Sequence, residues 1–199
     1  MGSDWTGYYA MQQGRAPREI FLDAVGRFDL KGPSQLRAAD VGSGDGTEAV
    51  YLVERGWDVL ALDAEREAVD LVESRCPPDL RARLTARQVS FEEMDLGSGE
   101  WDFVYAGFSL PFCRPARFPS VWRGILEALR PGGRFAGQLF GDRDTWATNP
   151  DMNFHTQDDA RRLLQGLVVE RFDAREDDGD SFSGPKHWHV YDFVARAAG

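Results

Sequence analysis

Residues 39–63 constrain the fold most, because they combine a glycine-rich turn with a strand pattern before it and a helix pattern after it. Residues 36–41 predict a buried strand, and Gly42, Gly44 and Gly46 follow it at alternate positions. Glycine has no Cβ, so the backbone can turn sharply here and let a ligand approach closely. We therefore predict a ligand-binding turn between the first strand and a helix.

The residues after the turn have the periodicity of a helix and then of a second strand. Thr47 is predicted to open the helix and Gly56 to end it, with an apolar stripe between them. Residues 59–62 are apolar on both faces, as a buried parallel strand requires, and Asp63 follows them. A carboxylate at that edge can accept two hydrogen bonds from a ribose diol.

The spacing of the glycines separates two nucleotide chemistries. A dinucleotide fingerprint needs a third small residue at position 47, which is threonine here. The observed G-x-G-x-G pattern, with Asp40 before it, instead resembles motif I of class I S-adenosylmethionine (SAM) methyltransferases. Asp40 is suited to the ammonium group of that cofactor. A glycine turn without any ligand is the alternative.

Composition limits the class of partner. The chain of 199 residues suits one domain, and its formal charge of -10 argues against nucleic acid as the main partner. No apolar run reaches the ~18 residues that a membrane span requires. We expect a soluble, cytoplasmic protein, monomeric or homodimeric, with reduced cysteines and no membrane partner.

Strand and helix patterns alternate along most of the chain, which predicts an α/β fold with a parallel sheet. The two C-terminal strands have no helix between them and must be antiparallel. The result is a Rossmann-like seven-stranded sheet, mostly parallel with an antiparallel C-terminal hairpin, in a three-layer sandwich. The predicted third strand lies within residues 84–94 and ends at Asp95 and Leu96, and the acidic residues 173–180 are predicted to form a solvated loop.

Several of these motifs together resemble small bacterial class I methyltransferases of the tellurite-resistance type. The resemblance rests on residues 40–46, Asp63, Asp95, residues 129–133 and residues 187–194. It implies a single class I methyltransferase domain over residues 1–199. It also implies that Asp40, Gly42, Gly44 and Gly46 line the methionine part of SAM. Asp63 and Ala64 would then contact the ribose, Asp95 and Leu96 the adenine, and Phe108 the region of the methyl group.

The acceptor side offers weaker signals. Residues 109–112, beginning with Ser109, resemble the tetrapeptide with which amino-directed methyltransferases bind a target amine, although Leu110 breaks that pattern. Residues 1–34 are interpreted as an N-terminal arm and helix that act as a lid or as a packing arm. We expect Tyr8 and Tyr9 from this arm to close the acceptor pocket opposite Phe108, Phe154 and His187.

Two histidines are candidate catalytic residues. His187 begins the last strand, near the carboxyl edge of the parallel strands, and His155 lies in the link after the fifth strand. Histidine can take a proton near neutral pH, as an O- or N-acceptor can require. The alternative is that both are structural, and no ligand spacing predicts a metal site.

Together the patterns predict SAM-dependent transfer of a methyl group to an O, N, S or metalloid atom of a small molecule, by in-line displacement. A nicotinamide-dependent oxidoreductase and a non-catalytic SAM-binding protein are the alternatives.

Overall fold

The computed structural model describes Trp5, Gly7, Gln12, residues 14–28 and residues 35–199. The helices are α1 (Glu19–Gly26), α2 (Thr47–Glu54), α3 (Arg66–Arg75), α4 (Phe118–Ala128) and α5 (Gln157–Leu163). The strands are β1 (Arg37–Val41), β2 (Asp58–Asp63), β3 (Leu84–Gln88), β4 (Trp101–Ala106), β5 (Leu129–Gly141), β6 (Phe154–His155), β7 (Val168–Ser181) and β8 (Gly184–Arg196).

The strands form one mixed sheet in the order β3-β2-β1-β4-β5-β8-β7, and the two-residue strand β6 pairs with β5 outside this path. The pairs from β3 to β5 are parallel, and β8 is antiparallel to both β5 and β7. The predicted α/β fold is therefore confirmed, including the antiparallel C-terminal hairpin.

Alternating side chains of the central strands fill two separate cores. Ala38 and Phe103 face α1, α2 and α3, whereas Ala39 and Val104 face α4 and α5. Because successive strand residues point to opposite faces, strands buried on both sides must be nearly all apolar, as β2 is. Helices on both faces of the sheet make three layers, as predicted.

The third strand is shorter than predicted. Pairing between β2 and β3 stops at Asp63 and Gln88, and the chain then turns within residues 91–93. Val89 and Phe91 continue the alternating apolar pattern, but both side chains pack against the core from a loop. The strand therefore ends seven residues before Asp95.

The C-terminal hairpin is longer than predicted. Residues 173–180, predicted as a loop, pair along their whole length with residues of β8, from Asp173 opposite Asp192 to Asp180 opposite Pro185. The pairing of β8 with β5 stops at Val190, so the hairpin projects beyond the rest of the sheet. The charged side chains are largely exposed, and the backbone pairing determines the structure despite their low strand propensity.

No helix in the described part of the chain is both long enough and apolar enough to cross a membrane.

Candidate functional site

The carboxyl ends of the parallel strands border a cleft of about 1180 Å³. From β1 the chain builds β2 and β3 on one side of the sheet, and then β4 and β5 on the other. Ligands of open α/β sheets bind at such a reversal of strand order. Seven residues that the sequence predicted for the site line this cleft: Asp40, Gly42, Gly44, Asp63, Ala64, Phe108 and Ser109.

The glycine turn between β1 and α2 is left-handed at all three glycines. A Cβ on Gly42 would lie 2.3 Å from the Cβ of Ser109, and one on Gly46 would lie 2.6 Å from a methyl carbon of Val72. Both distances are far below van der Waals contact, so only glycine fits at these positions. Gly46 does not line the cleft, and its role is to let α2 begin against α3.

Asp63 joins the end of β2 to the glycine turn. Its Oδ2 accepts a hydrogen bond from the backbone N–H of Gly44 at 2.9 Å, and its Oδ1 accepts one from the N–H of Glu65 at 3.0 Å. A carboxylate has about four acceptor positions, and the side chain of Asp63 also lines the cleft. The carboxylate therefore both holds the turn and faces the cleft.

Some buried polar atoms of cleft-lining residues have no hydrogen-bond partner among the described residues. They include Oδ2 of Asp40, the hydroxyl oxygen of Ser43 and the hydroxyl oxygen of Tyr105. Burial, reinforced by the nearby charge of Glu48, raises the pKa of Asp40 well above its usual value, and burial likewise raises the pKa of Tyr105. Since unpaired buried polar groups are costly, their position in one cleft indicates a polar ligand.

A network of ion pairs, which the sequence did not predict, connects the segment before α1 to the glycine turn. The Arg15 guanidinium donates to both carboxylate oxygens of Glu48, at 2.6 and 2.5 Å, and the backbone N–H of Arg18 donates to the same carboxylate. Asp45 accepts hydrogen bonds from Arg75 and Thr47. Arg15 and Arg18 also line the cleft. Arg15 and Glu48 are 33 residues apart in the sequence, and no sequence pattern predicts their contact.

Asp95 and Leu96 lie outside this cleft, contrary to the sequence prediction. Asp95 is exposed and accepts a hydrogen bond from the N–H of Gly97, whereas the Leu96 carbonyl accepts one from the Trp101 indole. The reason is the early end of β3, which leaves residues 89–94 at the edge of the sheet beside Asp63. Residues 89–94 therefore line the part of the cleft that was assigned to Asp95.

Phe108 and Ser109 occupy the middle of the cleft, directly after β4. Phe108 has a left-handed backbone, with φ of 54°, which is uncommon for a residue other than glycine. The Ser109 hydroxyl donates to the carbonyl of Val41 at 2.5 Å, although its oxygen can still accept a bond. Its predicted role in amine recognition stays a prediction.

Beyond Phe108, aromatic side chains from five parts of the chain border the cleft. We call this surface the aromatic wall, and it consists of Trp5, Phe108, Phe112, Trp146, Phe182 and Trp188. Trp5 belongs to the predicted arm, residues 1–34, but the sequence predicted no site role for Trp5, Trp146, Phe182 or Trp188. They come from separate loops and from the projecting hairpin.

Neither predicted catalytic histidine lines the cleft. In β8 the neighbouring Trp188 faces the cleft, so His187 points to the other side, where Asp178 and Glu176 bind it and raise its pKa. His155 packs against the ring of Phe118, and burial lowers its pKa. Phe154 stacks on Phe140 and does not line the cleft either. The geometry thus does not support the roles predicted for these three residues.

Tyr8 and Tyr9, predicted to close the acceptor pocket, lie outside the described residues. Trp5 of the same arm is described. Its ring contacts Phe112 at 4.9 Å and Phe182 at 5.6 Å, between centroids.

Residues 38–133 match the family of the methyltransferase domain. The magnesium-protoporphyrin O-methyltransferase of Rhodobacter capsulatus is 35% identical over 102 residues, which are 50% of this chain and 41% of that protein. The chain thus spans less than half the length of the curated relatives that it matches.

Two solved structures show the same fold. TehB from Haemophilus influenzae superposes with a TM-score of 0.73 and 15% identity, over 96% of this chain and 66% of that one. The 1,6-didemethyltoxoflavin-N1-methyltransferase of Burkholderia thailandensis was solved with bound 1,6-didemethyltoxoflavin and S-adenosylhomocysteine. It gives a TM-score of 0.65 and 18% identity over 98% of this chain and 85% of that one.

The match of residues 38–133 to the methyltransferase domain family agrees with the strand order and with the glycine turn, which lies within the matched residues. The class predicted from the sequence, a SAM-dependent methyltransferase, is confirmed at the level of the matched domain, and the likeness to TehB is a likeness of fold.

The buried carboxyl of Asp40 generates a prediction on stability. Its folded pKa is raised, so its contribution to stability is full below the unfolded pKa and is lost as pH rises through the folded pKa. Asp40→Asn should therefore stabilise the cofactor-free protein at pH 7 by roughly 1 to 3 kcal/mol, and the gain should shrink towards pH 4. Urea unfolding of both proteins at the two pH values measures this. A gain that is absent, or equal at both pH values, contradicts the assignment.

Proposed function

We propose that this chain transfers a methyl group from SAM to a small molecule. The observation that carries the proposal is the group of unpaired, buried polar atoms of Asp40, Ser43 and Tyr105 in the cleft beside the glycine turn. SAM presents an ammonium and a carboxylate at one end of an otherwise compact ligand. An acid and two hydroxyl groups match that pair of charges.

Each part of SAM has candidate partners in one half of the cleft. Asp40 is the partner of the ammonium, and the hydroxyl groups of Ser43 and Tyr105 are donors for the carboxylate. Asp63 accepts hydrogen bonds from the ribose hydroxyls, and Ala64 lies beside it. The adenine fits against residues 89–94, which line the adjacent edge of the cleft.

The bound cofactor supplies a methyl group that its sulfonium already makes electrophilic. The work left to the chain is to align the acceptor with that methyl group and to exclude water, and orientation can supply roughly 7 to 11 kcal/mol of the barrier. No histidine lines the cleft within the described ranges, so we assign no histidine as a general base. The proposal therefore depends on positioning rather than on proton abstraction by an imidazole.

A small-molecule acceptor is supported by the relatives and by charge. The Rhodobacter relative is named for a magnesium-protoporphyrin, and the Burkholderia structure for a didemethyltoxoflavin. The net charge of -10 opposes a phosphate backbone as acceptor. The expected cytoplasmic location belongs to the same proposal.

Asp63→Ala should weaken SAM binding roughly ten-fold or more, because charge-assisted hydrogen bonds to a ribose diol are worth about 1.5 to 3 kcal/mol. Isothermal titration with SAM measures the affinity. Asp95→Ala is the matched control, since Asp95 also accepts a hydrogen bond from a backbone N–H but lies outside the cleft.

The control should bind SAM within about two-fold of the unchanged protein. Circular dichroism and the melting temperature check that both variants are folded, because Asp63 also holds Gly44. Equal SAM affinities of the two folded variants would contradict the proposal that Asp63 binds the ribose. A loss in Asp95→Ala alone would restore the original assignment of the adenine site.

We further propose that the N-terminal arm closes the cleft as a lid. Trp5 of this arm contacts Phe112 after β4 and Phe182 at the tip of the hairpin. Both of these rings also contact Trp146, so Trp5 packs on a group of aromatic side chains that line the cleft. A side chain in that position shields the cleft from water.

Trp5→Ala should raise the acceptor's KM roughly ten-fold and leave the affinity for SAM unchanged, since truncation of a central aromatic side chain typically costs more than 1 kcal/mol of binding. Steady-state kinetics and SAM titration separate the two effects. Leu22→Ala removes an exposed apolar side chain on α1, away from the cleft, and should change neither quantity. Unaltered acceptor kinetics in Trp5→Ala would refute the lid.

A further inference from the structure

The cleft is larger than one cofactor requires. Its volume of about 1180 Å³ exceeds the ~300 to 1,000 Å³ typical of a site for a single small ligand. The half on the β2 and β3 side contains the glycine turn, Asp63 and residues 89–94. The other half lies beyond Phe108, above β5 and β8. Under the proposed function, this second half is the space left for the acceptor.

The six rings of the aromatic wall form a continuous series of contacts along this second half. Successive rings are in contact, with centroid distances of 6.1 Å from Phe108 to Trp188, 5.7 Å from Trp188 to Trp146 and 5.4 Å from Trp146 to Phe182. Trp5 continues the series from Phe182 to Phe112. Aromatic rings attract other aromatic rings through offset-stacked and edge-to-face contacts. A wall of this kind therefore favours a flat aromatic ligand over a saturated one.

Lys186 contacts two rings of the aromatic wall and does not itself line the cleft. Its Nζ lies 3.5 Å from the ring centroid of Trp146 and 3.7 Å from that of Trp188, and it forms an ion pair of 2.7 Å with the buried Asp144. Asp144 also accepts the backbone N–H groups of Trp146 and His189. Lys186 is buried and does not line the cleft, so it orders the indoles without offering a charge to the ligand.

The charges around the cleft select against an anionic ligand. Acidic side chains outnumber basic ones among the lining residues, and Asp151 and Asp180 belong to the second half. Arg175, which also reaches this half, is paired with Asp192 at 2.7 Å and with Asp177 at 3.4 Å. Arg18 also lies 4.7 Å from the ring centroid of Phe108, but across the cleft as a whole an anion would meet net negative charge.

We propose that the methyl acceptor is a flat aromatic ring system, uncharged or cationic, held against the aromatic wall. The proposal rests on the proposed function, because it assumes that SAM fills the other half. Transfer forms a bond between the methyl carbon and an acceptor heteroatom. The carbon–sulfur bond breaks, its electron pair remains on sulfur, and the acceptor's proton passes to solvent.

The test uses the protein saturated with S-adenosylhomocysteine and three probes of one carbon skeleton. These are 2-naphthol, its saturated counterpart decahydro-2-naphthol and the anion 2-naphthoate. Titration followed by tryptophan fluorescence or calorimetry should give an affinity for 2-naphthol about ten-fold higher than for either of the others. Equal affinities, tighter binding of the anion, or no binding of 2-naphthol up to its solubility would overturn the proposal.

Two variants test whether the preference for 2-naphthol comes from the aromatic wall. Phe182 is 39% exposed at the hairpin tip, so Phe182→Leu keeps an apolar side chain with little risk to folding. It should weaken 2-naphthol several-fold and leave decahydro-2-naphthol unchanged. Phe172→Leu is the control, because Phe172 stacks on Tyr191 outside the cleft, and it should alter neither probe. Equal effects of the two variants contradict the proposal.

The first titration separates the two hypotheses. If the protein does not bind S-adenosylhomocysteine, the proposed function fails. If it binds S-adenosylhomocysteine but does not prefer 2-naphthol, only the acceptor class fails.

Discussion

The structure depends on the close packing of the glycine turn. Gly42 brings the end of β1 against Ser109 after β4, and Gly46 brings the start of α2 against Val72 of α3. Asp63 then ties the turn to the end of β2. Because a Cβ at either glycine would overlap its neighbour, the same constraint that positions four elements also leaves the backbone open to a ligand.

The buried acids around this turn are costly in the absence of a ligand. Arg15 offsets the charge of Glu48 and so couples the segment before α1 to the turn, but Asp40 has an oxygen without a partner. The pKa of Asp40 is raised because burial disfavours its charged form. A cationic group bound beside Asp40 would offset the cost of burying this carboxylate. The site therefore fits a cofactor with an ammonium better than one with only phosphates.

The central sheet and the glycine turn that lies beside Asp63 follow from the sequence because their signals are local. The glycine spacing and the apolar run ending in Asp63 each lie within one short segment. The predicted end of β3 was wrong because apolar residues continue to alternate through Val89 and Phe91, after the hydrogen bonding between β2 and β3 has stopped. His187 was placed on the wrong side because a strand alternates, and Trp188 takes the face towards the cleft. The aromatic wall could not be predicted, since it is assembled from distant segments.

The central claim is that the half of the cleft beside the glycine turn binds SAM and not a dinucleotide. Isothermal titration of the same preparation with SAM, S-adenosylhomocysteine and NAD tests it directly. The account predicts micromolar binding of SAM or its demethylated product and no binding of NAD at millimolar concentration. Micromolar binding of NAD together with no binding of SAM would contradict it.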